Sequence, residues 1–542
     1  MKRYFAIILT VAMLFSLCAC GGGEATTTTT AENGTTTDGS ATTTEASGTD
    51  TSTAETTTTG KLPNAVTVVP TPSSTWLPSL TKTQEKTTST TTVATAPPEK
   101  VEKSNGFTYT VSNNTATITE SDSISGGALT IPSTLGGYPV VGIDNRAFAN
   151  HTEITSIVIP AGVTSIGTSA FNGCSNVQSV TMGVGVKKVS NKAFQDCKKL
   201  KSVYITDLGA WSSIEFGAEA NPLCNGGTLY VNNAPLNGAL TIPSGATRVG
   251  AYAFYNCSGI TAVSLPSSVK HIDANAFSGC AEMASLTIAA GVQSIGNKAF
   301  YGCAKLKTLT LPKGLQTIGA EAFSGCSMLN TLDFPPSVEH VDAGAFQGCG
   351  KLKTVNITDF AAWCRTNFII DSLKSANPTY YSKGCLYLNG EAVEGDIVVP
   401  KETGEVGEAV FYGYRYITSV VFEAGITKLG GYIFPSCTNL ESVTIPNTVK
   451  SIGSCTFYDC DLLTEITIPN SVTEIGWSTF YLCDGLATVN LGSGIKTIGG
   501  DAFKSCPALK TVNYAGNEAA REKIKIGSNN EALTGATWKY GA

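Results

Sequence analysis

The chain has 542 residues, a formal net charge of -6, and charged residues make up only 14% of it. A mildly acidic chain without a basic stripe gives no reason to propose nucleic acid as a partner. With 3 histidines there is little material for acid–base catalysis, and the 17 cysteines must be read by placement.

The chain opens with Lys2 and Arg3, then an apolar run from Tyr4 to Leu17 broken only by Thr10 and Ser16. That run is short for a bilayer span and reads as the core of a signal peptide over residues 1–19. It ends in Leu17-Cys18-Ala19-Cys20, which resembles the lipobox of bacterial lipoproteins. The resemblance implies cleavage before Cys20 and a diacylglyceryl group on its sulfur, with Cys18 at a position more often held by Ser, Ala or Thr. The implied location is the extracellular face of the cell membrane, with the lipid on Cys20 as the contact.

Residues 20–104 are dominated by Thr, as in Thr26 to Thr30 and Thr87 to Thr92, with Trp76 as their only aromatic residue. Such a segment has too little apolar surface to offset its ordering entropy and is expected to be a disordered stalk. It would span ~50 Å as a flexible coil, lifting the folded part of the chain off the membrane.

From residue 105 onward a phenylalanine recurs: Phe148, Phe171, Phe194, Phe254, Phe277, Phe300, Phe323, Phe346, Phe411, Phe434, Phe457, Phe480 and Phe503. The spacing is 23 residues except for two gaps of 60 and 65. Three residues after Phe stands Cys in all copies but two, where His151 and Tyr414 take its place. Each unit carries a short alternating run such as Leu306-x-x-Leu309-x-Leu311, closed by a proline that cannot donate to a sheet. A second run, Leu315-x-x-Ile318, precedes Gly319, which suits a turn needing positive φ. A repeat of this length predicts a solenoid whose equivalent strands stack into parallel sheets.

The strand, Pro, Ile-Gly turn, Ala-Phe and Cys pattern closely resembles the BspA-like leucine-rich repeats of bacterial surface proteins. The resemblance covers residues 105–542 and implies a β-rich, right-handed leucine-rich-repeat solenoid of about fifteen coils. It also implies adhesion or protein binding outside the cell.

The two long gaps are related to each other. Ile205-Thr206-Asp207, Trp211, Asn221-Pro222 and Leu229-Tyr230 correspond to Ile357-Thr358-Asp359, Trp363, Asn377-Pro378 and Leu386-Tyr387. They predict insertions near 206–228 and 358–385, each with a short helix N-capped by its Asp and carrying Trp on its inner face. At the ends, Phe107 to Val111 and Ala116 to Ile118 flank Asn113-Asn114 as a capping hairpin. Residues 515–542 form the other cap, with a short helix from Glu518 to Lys525 and a strand near Ala536 to Tyr540.

No catalytic constellation emerges, and no cofactor is implied. One cysteine per coil at one phase reads as a ladder of small buried residues. No C-x-x-C pair occurs, which argues against zinc. His271 and His340 lie three coils, ~14 Å, apart and cannot share a metal. The chain therefore reads as a binding protein, not an enzyme. Outward strand positions form hydroxyl and amide rows, interrupted by Tyr204, Asp333 and Asn356, the first candidates for ligand contact. In the second insertion Trp363, Tyr380 and Tyr381 are candidate aromatic contacts for an extracellular protein or glycan. A passive surface scaffold is the bland alternative.

Overall fold

A computed structural model describes residues 100–122, 124–371 and 374–541. The leader, Cys20 and residues 20–99 of the expected stalk lie outside the described residues. The domain starts earlier than the composition implies: Lys100–Ser104 is a strand, paired antiparallel with Phe107–Ser112. Its alternation Val101, Lys103 against Glu102, Ser104 is too short to stand out beside a Thr-rich tract.

Phe107–Ser112 and Thr115–Ser121 form the expected hairpin, turning through Asn113 and Asn114 at φ 51° and 58°. Thr115–Ser121 then runs parallel to Tyr138–Ile143, which starts the solenoid. Beyond it the chain is a β-solenoid of about 18 turns.

Two ladders of short parallel strands run along the solenoid. One contains the pre-proline strands, for example Thr308–Thr310, Thr331–Asp333 and Thr354–Ile357. The other contains the strands before the Ile-Gly turn, for example Ser294–Ile295, Thr317–Ile318 and His340–Val341. Between them the phenylalanines stack face to face, with Phe300 and Phe323 at 5.2 Å between ring centroids and 4° between planes. In most coils the Phe N–H donates to the carbonyl of the residue that precedes the next Phe, as Phe300 does to Ala322 at 2.8 Å and Phe434 to Thr456 at 2.8 Å.

The cysteine ladder has a polar task as well. The Cys326 thiol donates to the Phe300 carbonyl at 3.4 Å, and the same bond recurs from Cys303, Cys349, Cys437 and Cys483 to the Phe of the preceding coil. A small residue with a weak donor is what this buried carbonyl requires. Among the described residues the 15 cysteines form no disulfide.

The glycine after Ile has a different reason from the one expected. Gly319 is not at positive φ; a Cβ there would lie 2.6 Å from the backbone N of Asn297 in the coil below. Coil-to-coil approach demands glycine, and the positive φ falls two residues later, on Lys298 (57°) and Glu321 (55°).

The long gaps are not loops hung on a regular rod. Phe216-Gly217 continues the second ladder, since Glu215–Phe216 pairs with Lys188–Val189. Asn221 then occupies the phenylalanine position. The second gap repeats this with Asn367–Phe368 and Asn377, interrupted by a small antiparallel pair, Ile370–Asp371 with Lys374–Ser375. The C-terminal cap is a related unit: Lys525–Ile526 continues the second ladder, and the buried Asn530, one residue before the phenylalanine position, accepts from Phe503 N at 2.9 Å. The helix there is confined to Glu518–Arg521 because the chain must re-enter the ladder at Lys525.

Each unit follows one plan. Asp207, Asp359 or Asn517 N-caps a short helix, accepting from the backbone N of Ala210, Ala362 or Ala520 at 2.9 Å. A ladder strand, a buried Asn, a second short helix and a closing strand come next: Thr228–Val231, Cys385–Leu388 or Thr537–Tyr540. The second ladder and the Phe stack break after each unit, whereas the pre-proline ladder breaks there and also between Ser285–Ile288 and Thr308–Thr310 and between Ser442–Thr444 and Glu465–Ile468. The solenoid is thus a series of three modules, each closed by a unit of the same design.

Candidate functional site

The pre-proline strands present the polar rows in register. In the first module Thr181, Tyr204 and Tyr230 are neighbours on adjacent strands. In the second the row is Thr310, Asp333, Asn356 and Tyr387, and in the third Thr467, Asn490, Asn513 and Lys539. Parallel in-register stacking brings equivalent side chains within hydrogen-bonding reach.

Of the residues singled out in the sequence, Asp333 and Asn356 meet. Asp333 accepts from Thr310 Oγ1 at 2.7 Å and from Asn356 Nδ2 at 2.8 Å, so the three form one ladder. Tyr204 lies in another module and stacks on Tyr230 at 4.8 Å. These residues are not one site; they are equivalent positions of separate faces.

The aromatic candidates of the second insertion are corrected. Trp363 is 2% exposed, packed edge-on against Phe334 and tilted against Phe368. It is a core residue, as is its equivalent Trp211, whose Nε1 donates to the Ala253 carbonyl at 2.9 Å. An apolar helix face one turn after the Asp cap can only point inward. Tyr381 is half-buried with its hydroxyl enclosed, and burial pushes its pKa up to about 12. Tyr380 is half-buried at the joint with the third module, 4.7 Å from the Tyr412 ring and against Gly413. Trp363 and the Tyr381 hydroxyl are closed to a ligand.

In the third module Asn490 Nδ2 donates to Glu465 Oε1 at 2.6 Å and Thr467 Oγ1 at 3.0 Å. Asn513 Nδ2 then donates to Asn490 Oδ1 at 2.8 Å. Beside this ladder Asn447, Asn470, Asn490 and Asn513 line a groove of about 470 Å³. Asn513 holds Asn490, and Asn470 Oδ1 accepts from Ser493 N at 2.8 Å and Ser493 Oγ at 3.2 Å, so these three amides are fixed in orientation. Among the described residues no group of three or more His, Cys, Asp or Glu is placed to hold a metal ion. His151 sits 2.7 Å from Glu153, and His271 from Ser294 Oγ at 2.8 Å. No helix of the described residues is long and apolar enough to cross a membrane.

Some residues that matter were not singled out by spacing. Asn221 and Asn377 were visible as shared Asn-Pro pairs, but their place in the phenylalanine position was not, because the intervening lengths vary. Tyr414 marks the first Phe-bearing coil of the third module. Its hydroxyl donates to Val393 O at 2.7 Å and accepts from Leu386 N at 3.0 Å, tying that coil to the module before it. Trp477 is 51% exposed at the position after Ile-Gly, where other coils carry small or polar residues.

A sequence model of the BspA type leucine rich repeat region matches residues 141–217, 238–368 and 396–522. Those stretches make up more than half of the chain and are interrupted at the two module joints. Among solved structures, a leucine-rich repeat protein from Bacteroides ovatus is 22% identical over 81% of this chain and 99% of its own, with a TM-score of 0.40. A leucine rich cell surface protein from Faecalibacterium prausnitzii is 23% identical over 80% of this chain and 99% of its own, TM-score 0.37. The pneumococcal vaccine antigen PcpA is 18% identical over 82% of this chain and 97% of its own, TM-score 0.32. No curated protein matches the chain. With its repeat matched along most of the solenoid, the chain belongs to the BspA-type leucine-rich-repeat family.

Proposed function

We propose that this protein is a bacterial surface lipoprotein that binds an extracellular protein through its pre-proline strand face and acts as an adhesin. The observation that carries the reading is the in-register ladder Thr467, Asn490, Asn513 and its amide-lined groove. Pre-fixed donors and acceptors on a rigid sheet lose little entropy on meeting the polar groups of a partner. The proposed role is binding without catalysis. The anchor is the lipid on Cys20, and the Thr-rich stalk sets the distance from the membrane. The F. prausnitzii relative is named a cell surface protein, which accords with this location.

The test is a pull-down of extracellular matrix and bacterial surface proteins with residues 93–542, a compact unit. A saturable partner whose affinity falls at least tenfold in Asn490→Ala/Asn513→Ala supports the reading; no saturable partner removes it. Labelling cells with radioactive palmitate checks the anchor, which Cys20→Ala should leave unlabelled.

A further inference from the structure

The second ladder of the third module carries a feature that the amide face does not share. Its strands Ser451–Ile452, Glu474–Ile475, Thr497–Ile498 and Lys525–Ile526 lie side by side in register. Two residues past each buried Ile, the outward position is Ser454, Trp477, Gly500 and Ser528 in turn. Elsewhere this position holds small or polar residues, such as Asn191, Asn297, Ala320 and Glu408. Trp477 is therefore a large apolar ring, 51% exposed, set among small neighbours.

The ring borders a groove of about 470 Å³. Its floor is the backbone of Gly476, Gly499 and Gly527, glycines that the close approach of coils already requires. The opposite wall is the polar row Glu474, Thr497, Lys525. At one end Ser454 Oγ accepts from Trp477 N at 3.2 Å and fixes the backbone under the indole. At the other, Gly500 leaves the indole edge uncovered: a Cβ there would stand 3.3 Å from Trp477 Cδ1.

We infer that this groove is a saccharide-binding site for a neutral pyranose glycan. The face of an indole is electron-rich, and the C–H bonds on the flat side of a pyranose carry slight positive charge, so the ring stacks on Trp477. The hydroxyls at the ring edge need both acceptors and donors, which Glu474, Thr497 and Lys525 supply across three coils, ~10 Å of groove. One carboxylate and one ammonium on the same wall balance each other, which favours an uncharged sugar over a sialylated or uronic one. A ring seated over a glycine floor with polar groups on one wall fits the mixed character of small-ligand sites.

The experiment is a glycan array probed with the full chain, followed by titration of the best neutral oligosaccharide. Neutral glycans are expected to bind, with affinity at least tenfold lower in Trp477→Ala and in Gly500→Val, whose side chain fills the uncovered edge. Trp477→Phe should recover part of the loss, because an aromatic face remains. Thermal melting of the variants should match the parent, since the indole is not core. Absence of any glycan binding overturns the inference. So does unchanged affinity in Trp477→Ala, or loss in that variant of a protein partner with no glycan bound.

Discussion

Asn377 Nδ2 lies 2.7 Å from the carbonyl oxygen of Val410 and 3.0 Å from that of Ala409, so one buried amide joins the end of the second module to the start of the third. Asn221 does the same at the first joint, reaching Tyr252 O at 2.6 Å and Ala253 O at 3.3 Å. At the C-terminus Asn530 turns back onto Gly499 O and Gly527 O, both at 2.9 Å. A buried amide stands wherever the Phe stack stops, and its donors are used in the direction that the chain offers.

Asn377→Ala should destabilise the domain by about 2–4 kcal/mol, because the buried Val410 carbonyl loses its donor, Thr379 N loses its acceptor and a small cavity opens. Asn377→Leu should not rescue it, since volume alone leaves both groups unpaired. Denaturant unfolding of both variants checks this.

Truncation after residue 394 should leave a folded solenoid, while truncation after residue 353 should not. The first cut ends the chain with a unit of the same design as the C-terminal cap; the second exposes the Phe346 coil. Circular dichroism melting and limited proteolysis separate the two outcomes, a cooperative melt being expected only for the first.

Tyr414→Phe should cost about 1–3 kcal/mol, because its hydroxyl serves Leu386 N and Val393 O in a buried site. The same change at Tyr416, whose hydroxyl meets the exposed Lys383 carbonyl at 2.9 Å, should cost well under half as much. Melting of the pair of variants gives the comparison.

The ladder thiols should resist labelling in the native state. Burial pushes Cys303, Cys349 and Cys506 up to about 12, so at pH 8 roughly one in ten thousand of such thiols is ionised. A thiol reagent should react mainly at half-buried Cys385 and Cys224 until denaturant is added. Stability should fall above pH ~8.5, where thiols of the unfolded chain ionise while those of the folded chain stay protonated. The unfolded state then binds fewer protons, so the denaturation midpoint should be lower at pH 10 than at pH 7.

The repeat, the Asp caps and the inward tryptophans were legible because they recur at fixed offsets, and offset is what a solenoid converts into position. The role of Gly319 was misread because its constraint comes from Asn297 in the coil below, not from its own turn. Tyr381 looked like a surface aromatic, but its hydroxyl is enclosed by the folded chain.

By itself the sequence determined the family, the strand phase and the cysteine ladder, since each depends on local spacing repeated many times. Only the tertiary structure decided where modules end, which amides form a ladder and which tryptophan faces solvent. Those depend on contacts between coils, where a side chain's neighbours lie 23 or more residues away, as from Thr310 to Asp333.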